Sequence, residues 1–599
     1  MMFLYRPYGR PNKLQDAMRK MQFRAGLASL FLSLTLSITG ITSSAHAVDY
    51  VDPAPMLERV KTAARDCRPP ESLSVPMITW GADTIAINAN GAAETQGGTL
   101  FNDAGLDVRL YREDVFAKQV SAFLNCDSPF LRATTGMAAL ATDVTERDPR
   151  TAMVPVAQLS WSAGGDALVV RGDLCCKIEN LRGATIAIQQ DGPHIDYMAK
   201  LLQDAGLTVD DVTIRWTRDL TGLTGSTPGE AFVEDQSIDA AFVILPDAEA
   251  LTGGGLYGPV VKNARLAAST RSANRIIADQ YFVRADFLRA YPDVVSKFVN
   301  ALLRSEEQVR NTLLSDNATG SKLARQSALM LLDDAAAAED LVLLYRDAET
   351  IGVKGNAAFY EDKNNPRRFE AVMGQAQTAL AGLGLIRETH AISLPSEIVP
   401  SWSVAALASG VVKPDRAAPS FNAAAVNQVV SAKQAQGTLD DATLFEFEIR
   451  FQPNQRDFPV DVYRDDFSRV VDLSSTYAGA VMVIEGHSDP LGYLKARQSN
   501  VGQVALQRQV RAALNLSIER ANSVRDSLIT YASSEGIQLD PAQFETLGLG
   551  FKNPRTGLSG DGVTPLAPAS KAEWLSNMRV VFRLIAVEAE ASQFTLLEN

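Results

Sequence analysis

The sequence predicts an α/β fold in two parts, a large body from about Pro69 to Ala408 and a smaller α+β part from Ala442 onward. Short apolar runs separated by helical patterns predict the large body, because strands that alternate with helices form layered sheets. Between the parts, Ser409 to Asp441 is rich in Ala, Val, Ser and Gln, which predicts a linker with at most one short helix from Ala423 to Gln434.

The large body gives its strands and helices in alternation. The predicted strands are Val75–Trp80, Ala167–Val170, Ala184–Ile188, Asp239–Ile244 and Ile277–Val283. Helices are predicted to open at Gly192–His194, at Ser226–Pro228 and at Tyr291–Pro292, where proline and hydroxyl residues favour a helix start. This alternation predicts largely parallel sheets, which bind ligands at the carboxyl ends of their strands.

The loops at these strand ends supply candidate ligand contacts. The candidates are Trp80, Asp83, Thr134, Thr135, Trp161, Gly165, Gln190, Gly192 and His194. Hydroxyls, an indole and free amides at the Gly192-Pro193 helix start suit a small polar or anionic solute. The alternative for each residue is a structural role, because Thr and Gly cap helices and tryptophan fills cores. His194 fits a side chain near a helix cap better than a catalytic base.

Loose motifs along the body carry a resemblance to a known family. They are Gly164–Val170, Leu181–Ala187, Ala205–Val212, Ile238–Ala241 and Val283–Leu288. Together they resemble periplasmic solute-binding proteins of the nitrate, sulfonate and taurine transport type. The resemblance implies a bilobal type 2 periplasmic binding protein fold, in which two α/β lobes are joined by two crossover strands, here Asp166–Val170 and Leu266–Val283. It also implies a small-molecule ligand and, as a partner, an ABC permease or a membrane sensor.

The C-terminal part contains a distinct set of motifs. An apolar run, Ala480–Ile484, predicts a buried strand that leads into Glu485-Gly-His-Ser-Asp489-Pro-Leu-Gly492. Leu516-Ser-Ile-Glu-Arg520-Ala predicts a helix that starts near Asn515 and Ser517, since both residue types are good N-caps. Asn577-Met-Arg579-Val-Val-Phe predicts a closing strand.

These motifs resemble the OmpA C-terminal family, which holds Gram-negative proteins to peptidoglycan. The resemblance implies that Asp489 and Arg520 grip the zwitterionic end of diaminopimelate, with Asn515, Ser517 and Arg579 in the same site. A carboxylate and a guanidinium at a fixed separation suit such a ligand, and a helix N-terminus would favour its carboxylate. The chain departs from the family by a longer segment between Asp489 and Asn515, with extra residues at about 493–511 that could cover the site.

The N-terminus predicts export. Arg19, Lys20 and Arg24 precede a run of 17 uncharged residues, Ala25–Ile41, and Ala45-His-Ala47 offers a small-x-small cleavage site. The run is shorter than the roughly 20 residues that span a bilayer, so we expect a signal peptide over 1–47 and a periplasmic protein that starts at Val48. An uncleaved anchor is the alternative.

The net charge and the cysteine content indicate which partners and which covalent links to expect. Removing residues 1–47, with six basic and one acidic residue, would change the net charge from -13 to -18. A chain this acidic, without a basic stripe, argues against nucleic acid as a partner. An even cysteine count in an oxidising compartment predicts disulfides, either Cys67–Cys126 or a cross-pairing with Cys175 or Cys176. No metal or cofactor motif is evident.

The leading interpretation is a periplasmic solute-binding protein tethered to peptidoglycan. A structural or interaction protein, with lobes that serve as a docking module, is the alternative from another class. The related thiamine-pyrimidine synthases share the bilobal fold, but the sequence lacks their helix-borne histidine cluster. It also shows no Ser-His-Asp order and no phosphate loop. We therefore expect no catalytic residue and no enzyme activity.

Overall fold

The computed structural model describes residues 48–595 apart from 68–70, 175–176, 223, 254–257, 316, 408–419, 452–454, 456–457 and 587–593. The predicted signal peptide 1–47, Cys175 and Cys176, and residues 409–419 of the predicted linker therefore lie outside the described residues. Among the described helices, none combines the length and the apolar character that a membrane crossing requires.

The elements alternate along the chain. The strands are β1 Leu73–Met77, β2 Val108–Arg112, β3 Phe130–Thr134, β4 Met153–Ser162, β5 Asp166–Arg171, β6 Thr185–Gln189, β7 Thr213–Thr217, β8 Ala240–Ile244, β9 Ala264–Ser269, β10 Ala278–Arg284, β11 Ala348–Thr350, β12 Ser420–Phe421, β13 Thr443–Arg450, β14 Val481–His487, β15 Phe544–Gly550, β16 Arg579–Ile585 and β17 Phe594–Thr595. The helices are α1 Met56–Arg59, α2 Thr84–Asn90, α3 Leu100–Asp103, α4 Phe116–Leu124, α5 Thr135–Thr145, α6 Ile195–Asp204, α7 Pro228–Glu234, α8 Leu245–Thr252, α9 Ala285–Ala290, α10 Pro292–Thr312, α11 Ala318–Leu332, α12 Ala338–Arg346, α13 Gly352–Tyr360, α14 Phe369–Gly382, α15 Pro395–Ile398, α16 Val404–Leu407, α17 Ala423–Gln436, α18 Val460–Thr476, α19 Leu491–Gln498, α20 Gln503–Ser534 and α21 Lys571–Ser576.

The first lobe is built on a four-stranded antiparallel sheet in the order β11-β4-β10-β3, beside a parallel pair β1-β2. Strand β10 lies between β3 and β4, and Tyr281 on it is in register with Arg132 and Ala157. Every residue of β3, β4 and β10 is buried. The core of this lobe therefore lies on both faces of the sheet, and the polar residues of these strands are buried with it.

The second lobe is a five-stranded sheet in the order β7-β6-β8-β5-β9. Strand β6 is parallel to β7 and β8, whereas β5 is antiparallel to β8 and β9. The prediction of largely parallel sheets is therefore wrong for the first lobe's main sheet and only partly right here. The reason is that β5 and β10 enter their sheets directly from the other lobe and run against their neighbours.

The chain passes between the lobes twice, at 163–165 between β4 and β5 and at 270–277 between β9 and β10. Two α/β lobes joined by two crossings are the predicted bilobal periplasmic binding protein fold, which is confirmed. The predicted helix starts at Pro228 and Pro292 are also confirmed, with a reciprocal capping box between Thr227 and Glu230 at the first. The third predicted start is displaced, because α6 begins at Ile195 rather than at Gly192.

A disulfide joins Cys67 to Cys126, with 5.4 Å between their Cα atoms. This is one of the pairings that the sequence left open. It ties the segment after α1 to the end of α4 in the first lobe.

The C-terminal domain is an α+β unit with the strand order β13-β16-β14-β15. Met482 and Ile484 of β14 face the large core that includes α18 and α20, while Val481 and Val483 face α17 on the other side. Helix α17 packs there through Val426, Val429 and Val430. Residues 420–441, which the sequence predicted as linker, are thus packed against this sheet, because α17 has a buried apolar stripe that needs a partner.

Candidate functional sites

Most of the predicted ligand residues lie on the strand ends and helix starts around both crossings. A buried arginine that the sequence analysis missed lies on β3, beside Asp83. Arg132 on β3 donates from Nε and Nη2 to the two oxygens of Asp83, at 3.2 and 2.9 Å, and from Nη1 to Asp279 at 3.2 Å. All three side chains are almost completely inaccessible to solvent. The signal in the sequence was a single charge inside the apolar run from Phe130 to Ala133.

One guanidinium can compensate only one of two buried carboxylates. Burial accordingly raises the pKa of Asp83 to about 7 and that of Asp279 to about 6, although Arg132 opposes both shifts. Trp80 joins the same network, since its indole Nε1 donates to Ser160 Oγ at 3.0 Å and that hydroxyl donates to Asp279 at 3.3 Å. The predicted contacts Trp80 and Asp83 are thus held by the protein itself.

A second buried network holds the two crossings together. His194 Nε2 lies 2.7 Å from Asp166 Oδ1, and Ser162 Oγ donates to the other carboxylate oxygen at 2.6 Å. The hydroxyl of Thr270, in the second crossing, accepts from the backbone amides of Gly164 at 3.0 Å and Asp166 at 3.1 Å in the first. His194 is completely buried. Its partner gives it a structural role at the hinge, the alternative that the sequence analysis favoured over catalysis.

The lobes touch directly at Asp196 and Gly136. Asp196, at the start of α6 in the second lobe, points its carboxylate at Gly136 in the first turn of α5, where a Cβ atom would overlap it. Asp196 is 6% exposed, and its carboxylate faces the backbone amides of Asp196 and Tyr197 in the first turn of α6. Burial raises its pKa to about 7. A carboxylate of the protein therefore lies where an N-terminal helix end would favour an anion.

The remaining predicted ligand residues have partners within the fold. Thr134 caps α5 by accepting from Met137 N at 3.1 Å, and Thr135 Oγ1 accepts from Gln280. Trp161 is buried edge-on against Phe359.

The other three predicted residues lie beside the crossings. The Trp80 ring packs on Gly165, which leaves no room for a Cβ there. The Gln189 side chain occupies the space that a Cβ atom at Gly192 would take. The buried amide Nε2 of Gln190 lacks a partner among the described residues.

The predicted peptidoglycan residues are distributed over three elements of the C-terminal domain: Asp489 follows β14, Asn515, Ser517 and Arg520 lie on α20, and Arg579 begins β16. Asp489 Oδ1 accepts from Leu491 N at 2.8 Å, and its carboxylate also interacts with the Asn577 and Trp574 side chains. Burial raises its pKa, opposed by the Leu491 amide and the Asn577 and Trp574 side chains. Arg520, 2% exposed, lies 4.3 Å from the centre of the Phe451 ring.

The helix that carries Arg520 differs from the prediction. We expected it to start near Asn515, whereas α20 starts at Gln503, so Arg520 lies about 25 Å along the helix from its N-terminus. The N-terminus of α20 therefore does not lie beside Arg520 to favour a ligand carboxylate. The inserted residues form α19 and lengthen α20, because 503–511 continue its helical pattern.

The other three predicted residues differ in their surroundings. Ser517 fastens α20 to the sheet, since its hydroxyl accepts from Gly550 N at 2.9 Å, and Asn515 is exposed. Arg579 donates from Nη2 to Asn553 O at 3.0 Å, but its buried Nη1 lacks a described partner. Burial lowers the pKa of Arg579 to about 10.

The two parts of the chain are therefore a bilobal α/β fold and an α+β domain that carries the motifs around Asp489 and Arg520. No protein-family profile matches the chain. Its C-terminal part is similar to outer membrane protein Omp38 of Acinetobacter baumannii, with 28% identity over 188 residues that cover 29% of this chain. That match confirms the predicted resemblance, although the chain spans about half of that protein's length (46%).

Comparison of structures returns proteins of the class predicted for the lobes. They include the periplasmic aliphatic sulphonate binding protein SsuA from Escherichia coli (11% identity, 54% of this chain and 90% of that one, TM-score 0.40). The periplasmic nitrate-binding protein NrtA from Synechocystis PCC 6803 is another (13% identity, 58% and 91%, TM-score 0.37). The desulfurization enzyme DSZB is also similar (16% identity, 54% and 95%, TM-score 0.33).

Proposed function

We propose that this chain is a periplasmic binding protein fixed to peptidoglycan by its C-terminal domain, with lobes that open and close over a small solute. The observation that carries the wall-binding part is the position of Asp489, which follows β14 beside the Asn577 and Trp574 side chains in a domain similar to Omp38. A carboxylate is a strong acceptor for a charged donor, and the ammonium of diaminopimelate is such a donor. Arg520, in the OmpA-like motif, would pair with the ligand carboxylate.

A peptidoglycan pelleting assay tests this proposal. The full chain should sediment with purified peptidoglycan, and Asp489→Asn or Arg520→Ala should each abolish sedimentation. Truncating one partner of a desolvated charge pair costs about 2–5 kcal/mol, which removes a micromolar interaction. Free diaminopimelate should compete with the wild-type protein.

Matched controls are available on the same helix. Arg508→Ala and Asp526→Ala remove exposed charges from α20 and should leave sedimentation unchanged. Circular dichroism should show that every variant is folded. A wild-type chain that stays in the supernatant would contradict the wall-binding proposal.

For the solute, the charges of the cleft favour a positive group. The described buried arginines of the lobes are engaged: Arg132 with two aspartates, Arg284 with Asp286, and Arg367 with Arg275 O at 2.8 Å and Gln375 at 2.7 Å. Buried carboxylates are in excess, because Asp83 and Asp279 share Arg132 and Asp196 has no ion-pair partner among the described residues. An amine would compensate this excess, so we propose a cationic rather than an anionic solute.

A thermal-shift panel tests the solute class. Amines such as putrescine and choline should raise the melting temperature, while nitrate and alkanesulfonates should not. At a ligand concentration 100 times Kd, a binder gains about 2.7 kcal/mol of stability. Asp196→Asn should remove the amine effect, and a shift by anions alone would contradict the proposed charge.

The filled cleft supports a second candidate, the docking module. Trp80 lies against Gly165 and Asp196 against Gly136, so the protein's own side chains occupy the contact between the lobes. The melting temperature of a docking module would not rise with any solute. It would still sediment with peptidoglycan, so the two assays separate the candidates.

A further inference from the structure

The C-terminal domain is docked on the second crossing between the lobes. Its contact is the turn 476–479, between α18 and β14. Gly479 N donates to Ser272 O at 3.2 Å, and Arg275 N donates to Thr476 O at 3.2 Å. A Cβ atom at Gly479 would overlap the carbonyl oxygen of Arg271, so the two backbones approach as closely as only glycine allows. The hinge segment and this turn are therefore in direct backbone contact.

The same turn contacts the second lobe through buried polar groups. Tyr477, which is completely buried, donates from its hydroxyl to Asp204 Oδ2 at 2.8 Å. Lys200 Nζ lies 2.6 Å from Asp204 and 2.7 Å from Asp472 of α18. Lys200 and Asp204 are on α6, the helix that also carries Asp196 into the interlobe contact. The domain therefore holds the distal end of the helix whose first turn meets the first lobe.

The hinge residue that the turn contacts is itself bonded to the first lobe. Arg275, in the second crossing, forms two 2.7 Å hydrogen bonds with Glu349 of β11, and its carbonyl accepts from Arg367. On the other side, Gly536, which follows α20, packs against the Asn364 side chain. One rigid domain thus touches the second lobe, the hinge and the first lobe.

The shape of the turn is fixed from within the C-terminal domain. The buried amide of Gln543 donates to three carbonyls, Ser474 O at 3.2 Å, Tyr477 O at 3.3 Å and Ala480 O at 3.1 Å. This amide holds the turn in the conformation that meets the hinge, so the docking surface is preformed.

We propose that the C-terminal domain is a brace that holds the lobes closed, and that the cleft opens when this domain leaves the hinge. Bilobal proteins open by changing backbone angles at a few hinge residues. A domain bonded to both sides of the hinge favours the closed state by the free energy of its contacts. The anchor and the binding lobes are coupled by this contact, rather than joined only by a tether.

Hydrogen–deuterium exchange of the full-length chain tests the brace. Gly479→Ala should displace the turn and speed exchange about tenfold at residues 134–137 and 164–166, which line the cleft far from the substitution. Tyr477→Phe, which keeps the packing and removes one buried hydrogen bond, should speed it several-fold. Gly560→Ala is the matched control, because Gly560 has open space around it. Small-angle scattering should show a larger radius of gyration for Gly479→Ala only.

Two outcomes would overturn the brace. In the first, the radius of gyration rises while exchange in the cleft stays at the wild-type rate, so undocking does not open the lobes. In the second, neither folded variant changes either quantity, so the contacts do not hold the domain in place. If Gly479→Ala does not fold, the exchange rates of Tyr477→Phe decide alone. Neither readout requires a solute or peptidoglycan, so the brace stands or fails separately from the proposed function.

Discussion

Replacing Arg132 with methionine should lower the free energy of unfolding of the binding lobes by about 3–5 kcal/mol, the cost of leaving a buried charge without its partner. Within the described part of the chain, Arg132 is the ion-pair partner of both Asp83 and Asp279, and all three side chains are buried. Methionine keeps much of the volume, so the loss would report charge rather than packing. Urea unfolding of the full chain at pH 8, where both carboxylates are largely ionised, measures it.

The controls for Arg132 use the same chemistry at other positions. Arg182→Met removes an exposed ion pair with Asp211 and should cost less than about 1 kcal/mol. Adding Asp83→Asn and Asp279→Asn to Arg132→Met should restore part of the loss, since it removes the uncompensated charges. A loss below 1 kcal/mol for Arg132→Met alone would contradict the role given to this network.

The strands and helices could be predicted from the sequence because each has a local cause. Val75, Ile186 and Phe242 lie in apolar runs of strand length, and the Thr227-Pro228 start is specified by its own side chains. Which strands are neighbours in a sheet was harder to predict from the sequence. The antiparallel position of β10 between β3 and β4 results from the path of the chain between lobes, which no local pattern encodes.

The sequence predicted which loops carry the candidate site residues, but not which side chains those residues contact. Trp80, Asp83 and His194 follow strand ends, as predicted, and each is held by a buried partner within its own lobe. Their partners come from Arg132, Ser160 and Asp166, far away in sequence. A motif identifies a residue type at a strand end, whereas whether that residue is free or engaged depends on tertiary contacts.

In the C-terminal domain, too, the sequence revealed a motif but not the tertiary contacts around it. The motif around Asp489 and Arg520 was recognisable, but the start of its helix was not, since 503–511 could equally well form a loop. The docking of 476–479 on the hinge had no sequence signal beyond one glycine. Glycine at 479 reports a close approach only once the Arg271 carbonyl is seen beside it.

The second large expected effect is a dependence of the stability of the lobes on pH. A carboxyl whose pKa is higher in the folded than in the unfolded chain stabilises the fold below its unfolded pKa, and this contribution is lost as the pH rises to the folded pKa. For Asp196 this window runs from 3.8 to about 7. Asp83, near 7, and Asp279 and Asp347, both near 6, act in the same direction, because burial raises the pKa of each. The lobes should therefore be more stable at pH 5 than at pH 8.

Asp196→Asn isolates the contribution of the interlobe contact. Between pH 5 and pH 8 the wild-type group loses about two pKa units of stabilisation, or about 2–3 kcal/mol at about 1.4 kcal/mol per unit. The asparagine variant should therefore lose less free energy of unfolding over this range by that amount, as measured by urea unfolding at both pH values. The matched control Asp210→Asn changes an exposed aspartate of the same lobe and should follow the wild type. Equal pH dependence in wild type and Asp196→Asn would show that this carboxylate is solvated, and that the lobes are not closed upon it at rest.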